Sequence, residues 1–110
     1  MRIVYKEPGK FPEIRDVAND LSTLQGLVGG LIEHLEVYEG LGMIINEEGK
    51  LNGLYPNFYS PLYKDVIVGP AVFVGEDGED FKDVSEADAQ TLLMLFEGDD
   101  YNEKLKKVLE

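Results

Sequence analysis

The chain has no cysteine, and it has one histidine, His34, among its 110 residues. The lack of cysteine excludes disulfide bonds, thiolate catalysis and cysteine-based zinc sites, and a single histidine cannot form a multi-histidine zinc site. We therefore predict neither a cofactor nor a metal ion. A chain without cysteine also suits a reducing compartment, so a cytoplasmic location is expected.

Long hydrophobic runs are missing as well. The longest nearly uncharged run, residues 66–75, is about half of the ~20 residues that a membrane-spanning helix needs. Residues 1–6 are charged and lack the apolar core of a signal peptide. We therefore expect no membrane segment and no leader peptide.

The motifs of common catalytic and nucleotide-binding sites are not found. The sequence contains no G-x-S-x-G, no P-loop and no G-x-G-x-x-G. Gly26, Gly29 and Gly30 fall at the end of a predicted helix, whereas a nucleotide fingerprint would place them at its beginning. The sequence therefore offers no catalytic and no cofactor-binding residue, and it favours a protein that is not an enzyme.

Positive charge is scarce, with 10 lysines and arginines against 22 acidic residues and a net charge of −12. Residues 75–110 hold twelve of the acids and four of the bases. Such a field repels the phosphates of nucleic acids and the surfaces of anionic lipids. The charge therefore argues against direct binding to nucleic acid or membrane, and it predicts a protein partner with a basic surface.

The densest acidic stretch is predicted to be a surface loop over 76–83, anchored in the core by Phe81. It provides the candidate partner surface: Glu76, Asp77, Glu79, Asp80 and Asp83. Such carboxylates could imitate a phosphate backbone in the basic groove of a nucleic-acid enzyme. A solvated loop followed by helix starts, where negative charge is favourable, is the commoner explanation. Calcium binding is disfavoured because the spacing of an EF-hand loop is missing.

Local patterns predict the first half of the fold. Arg2–Lys6 and Glu13–Val17 alternate between polar and apolar residues and are expected to form a β-hairpin. Asn19-Asp20 can cap a short helix that ends at Gly29-Gly30.

Strands are predicted next over Leu31–Tyr38, Leu41–Ile45 and Leu51–Leu54. Asp65–Gly75, the most apolar segment, indicates a central strand, in which Gly69-Pro70 requires a bulge, a bend or an edge position.

Two helices are predicted at the C-terminal end. Ser85 is expected to cap the first, which closes at Gly98, and Asp99 or Asp100 starts the second. One face of the last helix would be apolar, and its exposure would favour a homo-oligomer through this C-terminal helix: Tyr101, Leu105, Val108 and Leu109. The fold class that results is α+β, with a mainly antiparallel sheet of about five or six strands, one early helix and two C-terminal helices.

His34 lies beside two glutamates in the sequence. On a strand Glu33 faces away from His34, whereas Glu36 shares its face. A simple ion pair with Glu36 is therefore expected, in preference to a catalytic role.

An aromatic segment forms a second candidate site, the aromatic contact loop: Tyr55, Phe58, Tyr59 and Tyr63. Pro56 and Pro61 predict a loop here, because they deny donors to a strand ladder. The rings could contact a partner or cover one end of the core. An alternative function is a small-molecule-binding or enzymatic module near Tyr55–Tyr63, which requires a closed cavity lined by these tyrosines and a few polar groups.

Five short segments resemble, in order and spacing, the motifs of a known family: residues 7–10, 25–30, 46–51, 69–75 and 79–81. This is a family of small uncharacterised proteins of bacteria, phages, plasmids and conjugative elements, catalogued as a domain of unknown function. The similarity runs from about Ile3 to Phe96. It implies an accessory protein of a mobile genetic element in the bacterial cytoplasm, and it implies no catalytic residue. We expect a single domain over 1–110, with a family-like core at 1–97 and a C-terminal helical extension at 98–110.

Overall fold

The computed structural model describes residues 1–97, which contain eight strands and two helices. The strands are β1 (Arg2–Lys6), β2 (Glu13–Asp16), β3 (Ile32–Tyr38), β4 (Leu41–Asn46), β5 (Pro56–Ser60), β6 (Asp65–Val68), β7 (Ala71–Asp77) and β8 (Asp80–Lys82). The helices are α1 (Leu21–Val28) and α2 (Glu86–Glu97).

Two antiparallel sheets make up the β structure. The main sheet has the order β2-β1-β7-β4-β3, and β8 extends it by pairing with the end of β7. The second sheet contains only β5 and β6. The apolar run of residues 71–74 explains the central position of β7, since such a run is typical of a strand buried on both faces.

Each face of the main sheet is covered by a different layer. Val28 of α1 packs on one face against residues such as Ile44 and Val72. Leu92 of α2 and Phe58 of β5 pack on the other face. The sheet is therefore the middle layer of the domain, with its core divided in two.

The predicted caps at Asp20, Gly29 and Ser85 are confirmed, whereas the predicted end of the later helix at Gly98 lies outside the described residues. The side chain of Asp20 accepts a hydrogen bond from the amide of Thr23 (2.7 Å), and α1 ends at Gly29, whose φ of 81° is left-handed. At the start of α2 the hydroxyl of Ser85 accepts the amide hydrogen of Asp88 (3.1 Å). These ends follow from local chemistry, which is why the sequence predicts them.

The expected central strand over Asp65–Gly75 is two strands in different sheets. Gly69, with a φ of 73°, turns the chain between β6 and β7. Of the three alternatives predicted at Gly69-Pro70 (a bulge, a bend or an edge position), the structure shows a bend, and only residues 71–77 are central.

Three other local predictions were wrong. The segment from Pro56 to Ser60 is a strand and not a loop, because a proline is tolerated at the first residue of a strand. Leu51–Leu54, expected to be a strand, lies in turns and irregular chain. Residues 76–83 are not a loop, because Asp77 pairs with Asp80 in the β7–β8 hairpin. Phe81 does pack against the α1 side of the core, as expected.

The α+β class and the mainly antiparallel sheet are confirmed. Within residues 1–97 the main sheet has six strands, as predicted, and two further strands form the second sheet. The early helix and one C-terminal helix are present. The predicted last helix, with Tyr101 and Leu105, lies outside the described residues. No helix within residues 1–97 is both long and apolar enough to cross a membrane.

We predict that Gly75→Ala lowers the free energy of unfolding by about 1–3 kcal/mol. A Cβ at Gly75 would lie 2.2 Å from the carbonyl oxygen of Asp83, and this backbone cannot move aside as a flexible side chain could. Gly26→Ala in α1 is the matched control, because nothing lies within 4 Å of its added Cβ. Alanine favours a helix over glycine by about 1 kcal/mol, so this variant should be more stable. Urea unfolding measures both, and an unchanged stability of Gly75→Ala would contradict the packing described.

Candidate functional site

Acidic residues from distant parts of the sequence meet at one end of the main sheet. The β3–β4 turn lies beside the end of β7, because the amide of Glu76 donates to the carbonyl oxygen of Gly40 (3.0 Å). The first turn of α2 reaches this end too, since the Tyr38 hydroxyl donates to Asp88. We call this end the acidic pole and define it by four exposed residues: Glu39, Asp77, Glu79 and Asp80.

The partner surface predicted from the sequence is divided by the structure. The side chain of Glu76 is only 13% exposed and is bound to His34. Asp83 lies beyond β8, where its Oδ1 accepts the amide hydrogen of Arg2 (2.7 Å). The other three carboxylates belong to the acidic pole and make no hydrogen bond or ion pair within residues 1–97: Asp77, Glu79 and Asp80.

Glu39 is the residue of the acidic pole that the sequence interpretation missed. It lies in the β3–β4 turn, far from the β7–β8 turn along the chain. The pairing of β4 with β7 brings the two turns together. Only the strand order could have revealed this residue, and local patterns do not contain the strand order.

Two carboxylates of the acidic pole lie directly opposite each other. Asp77 and Asp80 are register partners in the β7–β8 hairpin. Like charges at opposed positions destabilise an antiparallel pair, by a few tenths of a kcal/mol to about 1 kcal/mol. No cation within residues 1–97 pairs with either carboxylate. Helix capping does not explain this pair, because neither residue lies at a helix end.

His34 hydrogen-bonds to Glu76 and not to Glu36, which corrects the sequence prediction. His34 Nε2 lies 2.6 Å from Glu76 Oε1, and the ring packs edge-on against Phe81. The contact passes over Gly42 of β4, where a Cβ would lie 1.9 Å from Glu76 Oε1. Because Gly42 has no side chain, the side chains of His34 and Glu76 can meet above β4, although their strands are two strand spacings, about 10 Å, apart. Within residues 1–97 no three metal-binding side chains are arranged to hold an ion.

The aromatic contact loop does not form one surface. Phe58 is buried and packs against Phe96, with ring centroids 4.9 Å apart. Tyr59 is half-buried, whereas Tyr55 is 81% exposed. One member of the set therefore belongs to the core, and the tyrosines lie at different depths.

Two of these tyrosines line an apolar groove of about 260 Å³ between α2 and the β5–β6 sheet. Its walls include Val37, Phe58, Tyr59, Tyr63 and Leu95. Two of its polar groups are already bound within the protein: Tyr63 Oη donates to the carbonyl oxygen of Glu36 (2.6 Å), and Ser60 Oγ accepts the amide hydrogen of Tyr63 (3.3 Å). The sequence suggested a closed cavity lined by the tyrosines and a few polar groups, whereas this groove is mainly apolar and Tyr55 does not line it.

Lys6 is a buried cation that the sequence did not predict. Its Nζ donates to Asn57 Oδ1 (2.8 Å) and to the carbonyl oxygen of Glu7 (2.7 Å), and it lies 5.7 Å from the centre of the Phe96 ring. Burial lowers the pKa of the Lys6 ammonium, and the charge of Glu7 partly offsets this effect. A lysine in an alternating strand carries no local sign that it will be buried.

Asn57 completes this buried network. Its Nδ2 donates to the carbonyl oxygens of Lys6 (2.7 Å) and Gly69 (2.8 Å). The amide therefore joins β1 to β5 and to the bend between β6 and β7. We interpret the network as structural, because the polar atoms of Asn57 and Lys6 bond to each other and to the backbone.

We predict that Asn57→Leu lowers the free energy of unfolding by about 1–3 kcal/mol, because it leaves the buried Lys6 ammonium without one acceptor. Asn52→Leu, at an exposed position, should change stability by less than about 0.5 kcal/mol. The double variant Lys6→Met/Asn57→Leu should recover part of the loss, since removing both partners costs less than removing one. Urea unfolding of the three variants would refute the network if Asn57→Leu behaved like Asn52→Leu.

Comparison with known proteins gives the chain a family. The family model described as "Domain of unknown function (DUF3846)" matches residues 1–97. No match was found among curated proteins or among solved structures. The matched range runs from the first residue to the end of α2, so it includes every strand and helix described above. The resemblance found in the sequence motifs is thereby confirmed, and the chain belongs to the DUF3846 family.

Proposed function

We propose that this protein is a non-enzymatic accessory protein of a mobile genetic element, and that it binds a protein partner with a basic surface through the acidic pole. The mobile-element setting and the bacterial cytoplasm come from the family resemblance. In its finer form, the proposal is that the partner belongs to a host system for handling nucleic acids or for defence, which the protein inhibits or regulates.

The observation that supports this proposal best is the opposed pair Asp77 and Asp80. Surface charge placed for solubility alone has no reason to set two carboxylates at register partners, where they repel each other. The arrangement lowers the stability of the β7–β8 hairpin. A cationic group of a partner would relieve this repulsion. The arrangement that destabilises the free protein would therefore stabilise its complex with a basic partner.

The net charge of the chain also supports a basic protein as the partner. A net charge of −12 draws basic proteins from solution and repels nucleic acids. Enzymes that act on nucleic acids have basic grooves, because they neutralise phosphates with lysine and arginine. Exposed carboxylates held by two rigid turns could enter such a groove in place of the phosphates.

We predict that Asp80→Lys raises the free energy of unfolding by about 0.2–1 kcal/mol, because it converts a like-charge pair into an opposite-charge pair. The same change should weaken partner binding. Glu13→Lys on β2 is the control, since it makes an equal charge change at an exposed position on another strand. It also breaks the exposed ion pair of Glu13 with Arg15 (2.9 Å), so it should lower stability slightly, where Asp80→Lys raises it. Urea unfolding checks the stability, and a loss of stability in Asp80→Lys would contradict the proposed repulsion.

Partner binding is tested by affinity purification from a bacterial host. The wild type and Glu13→Lys should enrich the same basic protein, and Asp77→Lys/Asp80→Lys should not. Enrichment of the same partner by all three proteins would show that the acidic pole is not the surface that binds it. If the wild type enriched no basic protein, the proposal itself would fail.

A second candidate function is the binding of an apolar small molecule in the groove beside α2. The supporting observation is that the groove walls are mainly apolar, and that the hydroxyl of Tyr63 is bound to a backbone carbonyl. This favours a ligand that needs few hydrogen bonds.

We predict that Val37→Trp abolishes the binding of the uncharged dye Nile red, because the indole would fill the groove. Leu51→Trp is the control, at a position that is 82% exposed and outside the groove. Dye fluorescence measures binding. Equal binding by the wild type and Val37→Trp, or no binding by the wild type, would exclude the groove as an apolar site.

A further inference from the structure

Within residues 1–97, β3 lies at an edge of the main sheet, and its outer side has unpaired backbone groups. The amide of Glu47 donates to the carbonyl oxygen of Leu31 (2.8 Å), which makes these two residues a hydrogen-bonded pair at the start of the β3–β4 ladder. Such pairs alternate along an antiparallel ladder. The odd-numbered residues of β3 therefore bond to β4, and the even-numbered residues Ile32, His34 and Glu36 direct their N–H and C=O groups outward.

One hydrogen bond already occupies this outer side. The Tyr63 hydroxyl donates to the carbonyl oxygen of Glu36 (2.6 Å), in agreement with the outward direction of that group. The outward amides of Ile32 and His34 have no acceptor within residues 1–97. The edge is therefore closed at one end and open along the rest of the strand.

A cleft of about 490 Å³ lies beside the open part of the edge, between β3 and β6. Its floor is apolar and includes Leu35, Ile45 and Ile67. Its rim is acidic and includes Glu33, Glu47 and Glu48. Lys50, the cation that lines it, is already paired with Asp65.

A strand added to this edge would send every second side chain toward the cleft, because side chains alternate between the faces of a sheet. Lysine and arginine suit such a site, since their aliphatic stems can lie on an apolar floor while the charged end reaches an acidic rim. Main-chain hydrogen bonds would supply affinity and the cleft would supply specificity, as in other cases of strand addition.

We propose that an extended segment of a partner protein, with lysine or arginine at alternate positions, adds to the outer edge of β3 and places its basic side chains in this cleft. The inference rests on the proposed function only in that the partner is basic. It places a contact at the β3 edge, apart from the acidic pole.

A second copy of this chain is a poor occupant of the same edge. Two β3 strands side by side would bring Glu33 and Glu36 of one copy close to those of the other. Like charges on paired strands are destabilising, and charged edge strands are a common protection against self-pairing. The negative charge of β3 therefore disfavours pairing with a second copy of the chain and favours pairing with a basic strand.

The test uses a synthetic peptide of the length of β3 in which lysine alternates with valine, and a control peptide in which glutamate replaces lysine. On addition of the lysine peptide to the full chain, we expect hydrogen exchange to slow at the amides of Ile32 and His34. The amides of Glu33 and Leu35, which already bond to β4, serve as internal controls. The glutamate peptide should leave all four unchanged, and slow exchange with both peptides would contradict the charge argument.

Variants separate the edge from the acidic pole. Glu33→Lys/Glu47→Lys should weaken binding of the lysine peptide at least about tenfold, whereas Asp80→Lys should leave it within about twofold. Loss of binding in Asp80→Lys alone would assign the peptide to the acidic pole and overturn the inference, while leaving the proposed function intact.

The backbone part of the inference has its own control. A lysine peptide with an N-methyl group at every amide keeps its charge but cannot pair along either side, because both edges lack donors and carry methyl groups that collide with a neighbouring strand. It should not slow exchange at Ile32 and His34, and it should bind at least about tenfold more weakly. If it binds as tightly as the unmodified peptide, the contact is purely electrostatic and strand addition is excluded.

Discussion

β7 is buried on both faces and hydrogen-bonded on both sides, and the other elements take their positions from it. It pairs with β1 and β8 on one side and with β4 on the other. Val72 and Val74 enter the core beneath α1, whereas Phe73 enters the core beneath α2. Because β4 is fixed by β7, β3 is left at the edge, and because the chain turns back after Asp77, the acidic pole stands at the end of the same strand.

The acidic residues of this chain are arranged in two chemically different ways. At the acidic pole they are exposed carboxylates on two turns, so they act mainly through long-range attraction, which governs how fast a partner approaches. Around the cleft they surround an apolar floor, where contact also buries hydrocarbon and can slow dissociation. A basic partner could use the first for approach and the second for retention.

Features of the fold that depend on neighbouring residues could be predicted from the sequence, whereas features that depend on distant residues could not. The caps at Asp20 and Ser85 and the bend at Gly69 depend on neighbours a few residues away, and the sequence predicted all three. The strand at Pro56 was missed because the tolerance of a proline depends on its place in a ladder, and this place is set by β6. The antiparallel class could be predicted from alternation and turns, whereas the division of the strands over two sheets could not.

The candidate site was predictable to a similar degree. Composition identified the acidic stretch, but not that Glu76 would be held by His34 or that Glu39 would join Asp77. Both arrangements bring together strands that are far apart in the sequence, so they depend on strand order. The buried Lys6 was invisible for the same reason, since Asn57 comes from the other sheet.

The pairing of β1 with β7 has a consequence for synthesis of the chain. β1 is made first, yet its partner in the middle of the sheet follows after most of the described chain has been made. Closing so long a loop costs entropy, and contacts between distant residues form slowly. The β3–β4 hairpin can form as it leaves the ribosome, whereas Ile3 and Val4 must wait, exposed, until β7 emerges. Residues 75–110, which hold twelve of the acids, are made after the core of β7, so the chain waits without most of its negative charge.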